Sequence, residues 1–295
     1  MASGAYPFRI GSLTCVALYD GTFNYPVPSM FVQVPADECA AALRQRGLPE
    51  TQISTPYICL YVQAGPRRIL VDTGMGGLWT HAPGVFPGLD HSTTHTGELV
   101  GSLRSIGVDP ADIDTVVITH AHPDHVNGNL DAAGHLVFAN ARYFIGRQES
   151  EFWFSEAAST RALPMFVQIA RGQLAPVRDR LTLMDDGYEI APGIVALATP
   201  GHTPGHMAIA LASEGQQLLC ASDLVLHPLQ LEHPDWKSMF DMDPDQAAAT
   251  RTRLLDRAAA EKELILAFHF APFPGLGHVT KVEGAWRWEP IAAQA

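Results

Sequence analysis

Short apolar runs alternate with amphipathic stretches along the chain. The apolar runs are rich in β-branched and aliphatic residues and end at glycine, proline or polar residues, as strands do. Predicted strands cover residues 13–19, 57–64, 68–71, 115–119, 143–145, 194–198, 207–211, 217–220 and 264–268. In the amphipathic stretches apolar residues recur at helical spacing, as Leu99, Leu103 and Ile106 do. Predicted helices cover residues 97–106, 149–170 with a break at Pro164, and 246–262.

Strand-rich segments alternate with helices in both halves of the chain, which predicts an α/β fold with two sheets covered by outer helices. The strand at 13–19 should end in a turn at Asp20-Gly21. The strands at 207–211 and 217–220 should form a hairpin around Glu214-Gly215. With 295 residues and neither a low-complexity linker nor a repeat of fixed period, residues 1–295 are expected to form a single domain.

Composition narrows the range of functions. Hydrophobic residues make up 47% of the chain, which is enough for a sizeable core. The formal net charge of −12 disfavours nucleic acid as a partner, because phosphate binding needs clustered lysine and arginine. We expect no secretory leader and no membrane span, and therefore a cytoplasmic location by default. The four cysteines form no CxxC pair and are expected to stay unpaired.

The densest chemistry lies in the run THAHPDH at residues 119–125, directly after a predicted strand. Four potential metal ligands, His120, His122, Asp124 and His125, fall within six residues. Imidazole nitrogen and carboxylate oxygen are ligands that zinc takes from proteins. His120 and His122 can share one ion, whereas Asp124 and His125 turn toward a second. This density argues against a chance cluster of surface histidines.

Three further candidate ligands, His202, Asp223 and His269, each follow a predicted strand in the second half of the chain. Side chains at the ends of neighbouring strands can converge on one edge of a sandwich. We therefore expect His202 to join His120 and His122 at the first metal ion.

The second metal ion is expected to take Asp124, His125 and His269, with Asp223 bridging the two ions. The predicted cofactor is thus two Zn²⁺ per chain, with manganese, cobalt or iron as alternatives on the same ligands. Asp124 and Asp223 would also be catalytic, because they would hold the hydroxide shared by the metals and can take its proton.

These motifs resemble those of the metallo-β-lactamase superfamily. The resemblance rests on HxHxDH, on TPGHTPGH at 199–206 and on the later Asp223 and His269, and it extends over residues 57–278. It implies an αβ/βα four-layer sandwich with a dinuclear site at one edge. Asp72, in the run VDTG, would either support the metal loop from below or only cap a turn. The second histidine of TPGHTPGH, His206, is expected to be structural.

Two C-terminal segments, 267–278 and GAWRW at 284–288, are similar to the branch that includes methyl parathion hydrolase and its lactonase and arylesterase relatives. Many acyl-homoserine lactonases, a neighbouring branch, have a tyrosine three residues after the bridging aspartate, where this chain has Leu226. The resemblance therefore implies a dinuclear-zinc hydrolase that uses a metal-bridging hydroxide to open a lactone or cleave an aryl or carboxylic ester.

Other functions stay open. An organophosphate triester hydrolase and an acyl-homoserine lactonase are the enzymatic alternatives. A metal-storage or sensing protein without catalysis is the alternative from another class.

Aromatic residues between the predicted strands indicate an apolar substrate pocket, since loops often form binding sites. The residues expected to line this pocket are Trp79, Phe86, Trp153, Leu226, His227 and Phe273, and Phe152 and Phe166 lie in similar segments. Ordinary core packing is the alternative for each aromatic residue. The expected partner is a small apolar ester or lactone, and a homodimer is compatible with the sequence.

Overall fold

The computed structural model describes residues 4–77 and 95–291, which form two β-sheets and the helices that cover them. The strands are β1 (Ala5–Ile10), β2 (Leu13–Pro26), β3 (Gln52–Ala64), β4 (Arg67–Val71), β5 (His95–Thr96), β6 (Thr115–Ile118), β7 (Arg142–Gly146), β8 (Leu181–Met184), β9 (Tyr188–Ala191), β10 (Ile194–Ala198), β11 (Met207–Ser213), β12 (Gln216–Cys220), β13 (Leu264–Leu266), β14 (Leu276–Val282) and β15 (Ala285–Pro290). The α-helices are α1 (Val27–Met30), α2 (Ala36–Gln45), α3 (Leu99–Ser105), α4 (Pro123–Val126), α5 (Arg147–Phe154), α6 (Glu156–Arg161), α7 (Pro164–Leu174), α8 (Leu229–Glu232) and α9 (Pro244–Glu261). Within these ranges no helix is both long and apolar enough to cross a membrane.

Both sheets are mixed. The first has the order β1-β2-β3-β4-β6-β7-β8, with the short β5 paired to β2. Its strands are antiparallel from β1 to β4 and parallel from β4 to β8. The second has the order β15-β14-β13-β12-β11-β10-β9, in which the pair β12–β13 is parallel. All four residues of β6 are buried, as expected for a parallel strand covered on both faces.

Apolar side chains fill the space between the sheets and beneath the helices. Leu60 of the first sheet and Ile209 of the second belong to the core between the sheets. Leu103 of α3 packs on the outer face of the first sheet, and Leu254 and Ala258 of α9 pack on that of the second. The resulting order of helix, sheet, sheet and helix confirms the predicted αβ/βα sandwich.

The turn predicted at Asp20-Gly21 is wrong, because β2 continues through a bulge there to its end at Pro26. The buried Asp20 carboxylate has a different role. Its Oδ2 accepts a hydrogen bond from the Met75 amide (2.8 Å) and its Oδ1 accepts one from the Leu99 amide (3.0 Å). Asp20 therefore connects the loop at Met75 and the start of α3 to a continuous, bulged strand.

The helix predicted over 149–170 is divided into α5, α6 and α7. Pro164 begins α7 at its first turn, a position where the missing amide hydrogen costs nothing. The hairpin predicted around Glu214-Gly215 joins β11 to β12, and both turn residues have positive φ (50° and 77°). The four cysteines are buried and unpaired, as predicted.

Candidate metal centre

The seven side chains predicted as metal ligands lie on segments that follow strands of both sheets. Four follow β6, and the segments after β10, β12 and β13 carry one each. Their ligand atoms form two groups, each with all atoms within 4.8 Å of one another: His120, His122, His202 and Asp223 in one, and Asp124, His125, Asp223 and His269 in the other. The fold therefore brings the seven side chains together in the two predicted sets.

Asp223 belongs to both groups. Its Oδ1 lies 2.9 Å from His269 Nε2 and 3.0 Å from His125 Nε2. Its Oδ2 lies 3.2 Å from His202 Nε2 and 3.8 Å from His120 Nε2. Each carboxylate oxygen thus faces one group, which is the placement that a bridging carboxylate requires.

Several buried ring nitrogens are left without a hydrogen bond. Such atoms are His120 Nε2, His125 Nε2 and His269 Nδ1. An unsatisfied buried polar atom costs about 1–3 kcal/mol, so protein contacts alone leave this arrangement unfavourable. Five imidazoles and two carboxylates directed inward are the donor types that zinc takes, and the set fits a dinuclear metal site.

The second ring nitrogen of two of these histidines is held by a carboxylate. His125 Nδ1 lies 2.7 Å from Asp72 Oδ2, and His202 Nδ1 lies 3.0 Å from Asp241 Oδ1. Such pairs fix the orientation of the ring and direct the other nitrogen toward a metal. Of the two roles left open for Asp72, the support of the metal loop is the one that its contacts favour.

A hydrogen-bond network that starts at Asp72 joins the two sheets beneath the metal groups through Thr119 and Ser222. Asp72 Oδ1 accepts a hydrogen bond from the Thr119 amide (2.8 Å) and its Oδ2 accepts one from Thr119 Oγ1 (2.7 Å). Thr119 Oγ1 lies 2.8 Å from Ser222 Oγ, the residue before Asp223. Asp72 and Ser222 both have positive φ (59° and 47°). A positive φ at a residue other than glycine costs roughly 1–3 kcal/mol, and the hydrogen bonds of this network hold the two residues in that conformation.

Asp241 was not predicted from the sequence, although it contacts a candidate ligand. It is buried, and its Oδ2 lies 3.6 Å from the guanidinium of Arg251, which is itself 1% exposed. Arg251 Nε donates to the Leu224 carbonyl (2.8 Å). This chain of contacts connects His202 to helix α9, but Asp241 lies in a loop without a motif that could have marked it.

Glu149 is a second buried carboxylate missed by sequence analysis. It accepts hydrogen bonds from the amides of Ala121 (2.9 Å) and Gly205 (3.1 Å), from Thr203 Oγ1 (2.6 Å) and from Trp153 Nε1 (2.6 Å). A Cβ at Gly205 would collide with the Glu149 backbone, so only glycine permits this approach. Trp153 is fully buried beside Glu149 and not in the wall of the cavity described below, which corrects its predicted place.

His206 lies outside both groups. Its Nδ1 is 2.7 Å from Thr199 Oγ1, and its Nε2 accepts a hydrogen bond from the Asp223 amide (3.3 Å). Burial, together with the charge of His202, lowers the pKa of His206 to about 3, so the ring is neutral. These contacts are those of the structural residue expected from the sequence.

The histidines of the two groups differ in protonation in the absence of metal. Burial and neighbouring histidines hold the pKa of His120 and His122 well below the usual range. Burial also opposes protonation of His125 and His202, but the Asp223 charge outweighs it and raises their pKa, that of His202 to about 9. A metal ion would therefore have to displace protons from part of the site at neutral pH.

A cavity opens over the two groups. Besides His122, Asp124, His202, Asp223 and His269, its lining consists of Tyr25, Met30, Met75, Pro123, Phe166, Leu226 and Phe240. Neither lysine nor arginine lines it among the described residues. Two of the residues that the sequence placed in candidate pocket segments, Leu226 and Phe166, are in this lining.

The other predicted pocket residues have different positions. His227 is buried outside the lining, where it bonds to local backbone. Phe273 packs edge-on against Tyr19, with ring centroids 5.8 Å apart. Neither residue is among the described residues that line the cavity. Trp79 and Phe86 lie outside the described residues.

A surface groove lined by both apolar and polar residues adjoins this cavity. It shares Phe166 and Phe240 with the cavity and reaches Leu163 and Met239. Those two side chains are 48% and 55% exposed. Arg161 also lines the groove.

Known proteins share this fold and are similar in sequence. Residues 58–269 match the family model of the metallo-beta-lactamase superfamily. An N-acyl homoserine lactonase of Bacillus thuringiensis is 26% identical over 246 residues, which cover 80% of this chain and 91% of that protein.

Two solved structures are similar over nearly their whole length. AidC, a dizinc quorum-quenching lactonase in complex with the product N-hexanoyl-L-homoserine, has a TM-score of 0.86 and 27% identity over 99% of both chains. The hydrolase AbOPH, of the beta lactamase superfamily, has a TM-score of 0.87 and 27% identity over 100% of both chains. Since the family model spans most of the chain and the sandwich carries its dinuclear site at the strand ends, this chain belongs to the metallo-beta-lactamase superfamily of hydrolases.

Proposed function

We propose that the protein is a metal-dependent lactonase that opens the ring of a neutral lactone bearing an apolar tail. The observation that carries the proposal is the cavity over the two ligand groups, whose remaining wall is apolar except for the Tyr25 hydroxyl and free of lysine and arginine among the described residues. A neutral, apolar substrate gains roughly 25 cal/mol for each Å² of apolar surface buried there. A substrate that carries an anionic group would find no compensating cation in that wall.

The seven side chains are proposed to hold two zinc ions. Divalent metal ions bound there would supply a water of lowered pKa and positive charge opposite the developing oxyanion. Asp124 is the most accessible of the carboxylates, with a side chain 12% exposed against 5% for Asp223. In this proposal Asp124 takes the proton of the attacking water, and Asp223 holds both halves of the site together.

The tail of the substrate is proposed to lie in the groove that leads past Phe166 and Phe240 to Leu163 and Met239. The exposed apolar side chains at its outer end favour an acyl chain over a polar one. Two of the similar proteins are N-acyl homoserine lactonases by name or by bound product, which supports N-acyl homoserine lactones as a substrate class to test. This support outweighs the argument against N-acyl homoserine lactones that rests on Leu226, which stands where many acyl-homoserine lactonases have a tyrosine.

The test is kcat/KM for several substrate classes on one zinc-loaded preparation. We expect N-acyl homoserine lactones, aromatic lactones such as dihydrocoumarin, and aryl acetates to be hydrolysed best. Phosphotriesters, which are neutral and fit the same apolar wall, should follow, and phosphomonoesters, phosphodiesters and β-lactams should come last. A phosphodiester or a β-lactam at the top of the ranking would contradict the proposal, and a phosphotriester there would establish the alternative triesterase.

A further inference from the structure

We propose that the Tyr25 hydroxyl donates a hydrogen bond to the substrate oxygen that gains negative charge during lactone hydrolysis. The identity of the substrate rests on the proposed function. The role of Tyr25 rests on two observations: the cavity lining has few hydrogen-bond donors, and the Tyr25 hydroxyl is paired with that of Tyr57.

The cavity offers few donors outside the ligand set. Its other lining residues are methionine, proline, phenylalanine and leucine, which carry neither an N–H nor an O–H in their side chains. Among the described lining residues, Tyr25 alone adds such a donor. A phenol has a pKa of about 10, so the hydroxyl carries its proton at neutral pH.

The hydrogen bond between Tyr25 and Tyr57 determines which of the two hydroxyls can donate to a substrate. The two hydroxyl oxygens lie 2.7 Å apart. Tyr57 is only 2% exposed, and Tyr25 is the hydrogen-bond partner of its hydroxyl. If Tyr25 donated, the Tyr57 proton would stay buried and unsatisfied, which is unfavourable. Tyr57 therefore donates to Tyr25, whose own proton is directed to another acceptor.

Both tyrosines are held rigidly beside the ligand groups. The Tyr25 ring packs against Phe23 and Phe240, with centroids 4.6 Å and 5.2 Å away. The Tyr57 ring packs edge-on against His269 at 5.5 Å. A donor fixed in this way needs no reorganisation when charge develops on the substrate, which is the condition under which such donors accelerate a reaction most.

The test compares Tyr25→Phe with Tyr19→Phe on the zinc-loaded protein. Tyr19 lies on the same strand and bonds to Thr22 and His95, and it is outside the cavity lining. Four quantities are measured: metal content, Tm, kcat and KM for the best lactone, and the Kd of phenylboronic acid by calorimetry. Phenylboronic acid takes up hydroxide and becomes a tetrahedral anion, so its binding reports on the donor without turnover.

Tyr25→Phe should lower kcat on the order of 10²-fold with KM little changed, as loss of one oxyanion donor does. Its boronic acid Kd should rise roughly tenfold or more with metal content unchanged, and its Tm should fall by a few degrees, because the buried Tyr57 hydroxyl loses its acceptor. Tyr19→Phe should match the wild type throughout. Equal boronic acid affinity in wild type and Tyr25→Phe, including no binding in both, would overturn the role of Tyr25, as would loss of metal from that variant. Failure of the wild type to open any lactone would overturn the proposed function instead.

Discussion

Among the single residues of the site, Asp223 contacts histidines of both ligand groups through its two oxygens. Asp223→Ala should therefore lose metal and lower turnover by roughly 10²-fold or more, since both the ions and the attacking water lose their orientation. The measurement is metal content together with kcat/KM for the best lactone. Asp235→Ala, at an exposed aspartate, is the matched control. Near-native turnover with two metals per chain in Asp223→Ala would show that Asp223 is not the bridge.

Local spacing explains why four of the seven candidate ligands could be recognised together from the sequence. His120 to His125 are fixed relative to one another by one short segment after a strand, so the sequence alone indicates their common purpose. Asp241 reaches His202 from 39 positions further along the chain, and no local pattern reveals that contact. The same holds for Tyr25, whose place in the cavity depends on its pairing with Tyr57 across two strands.

Among the elements, the bulge in β2 puts a carboxylate where water is excluded. Burial raises the pKa of Asp20 to about 6, although backbone amides of Met75 and Leu99 donate to it. A carboxyl whose pKa is raised on folding stabilises the fold below its unfolded value of about 4, and this stability is lost as pH rises through 6.

The free energy of unfolding of the wild type relative to Asp20→Asn should therefore fall by about 2 kcal/mol between pH 4 and pH 7. This difference is measured by denaturant unfolding of both proteins at each pH. Any loss of metal at low pH affects both proteins alike and therefore cancels in the difference. Asp235→Asn makes the same chemical change at an exposed position and serves as control. A difference that stays constant over this range would refute a raised pKa for Asp20.

Element prediction succeeded where burial is regular and failed at the sheet margins. The fully buried β6 was predicted, since every residue in it is apolar or β-branched. The outer strands β9 and β15 were not, because exposed positions interrupt their apolar pattern. The turn predicted at Asp20-Gly21 does not form, because tertiary contacts to Met75 and Leu99, which the local sequence does not reveal, decide the conformation there.

In the whole molecule, both sheets contribute to the site. Ligands follow β6 of the first sheet and β10, β12 and β13 of the second, and Asp72, Thr119 and Ser222 connect the two sheets below them. Metal binding is therefore coupled to the packing of one half of the sandwich on the other. The αβ/βα architecture could be predicted because the ligand motif resembles that of a family with one fold, whereas the shape of the cavity could not.

The most direct test of the account is a titration of the metal-free protein with zinc, in which the rate of opening of a neutral lactone is followed at each addition. Because Asp223 joins the two ligand groups, the rate should rise until about two zinc ions are bound per chain and then stay constant. A rate that reaches its plateau at one zinc ion, or no lactone opening at any zinc content, would contradict a dinuclear lactonase.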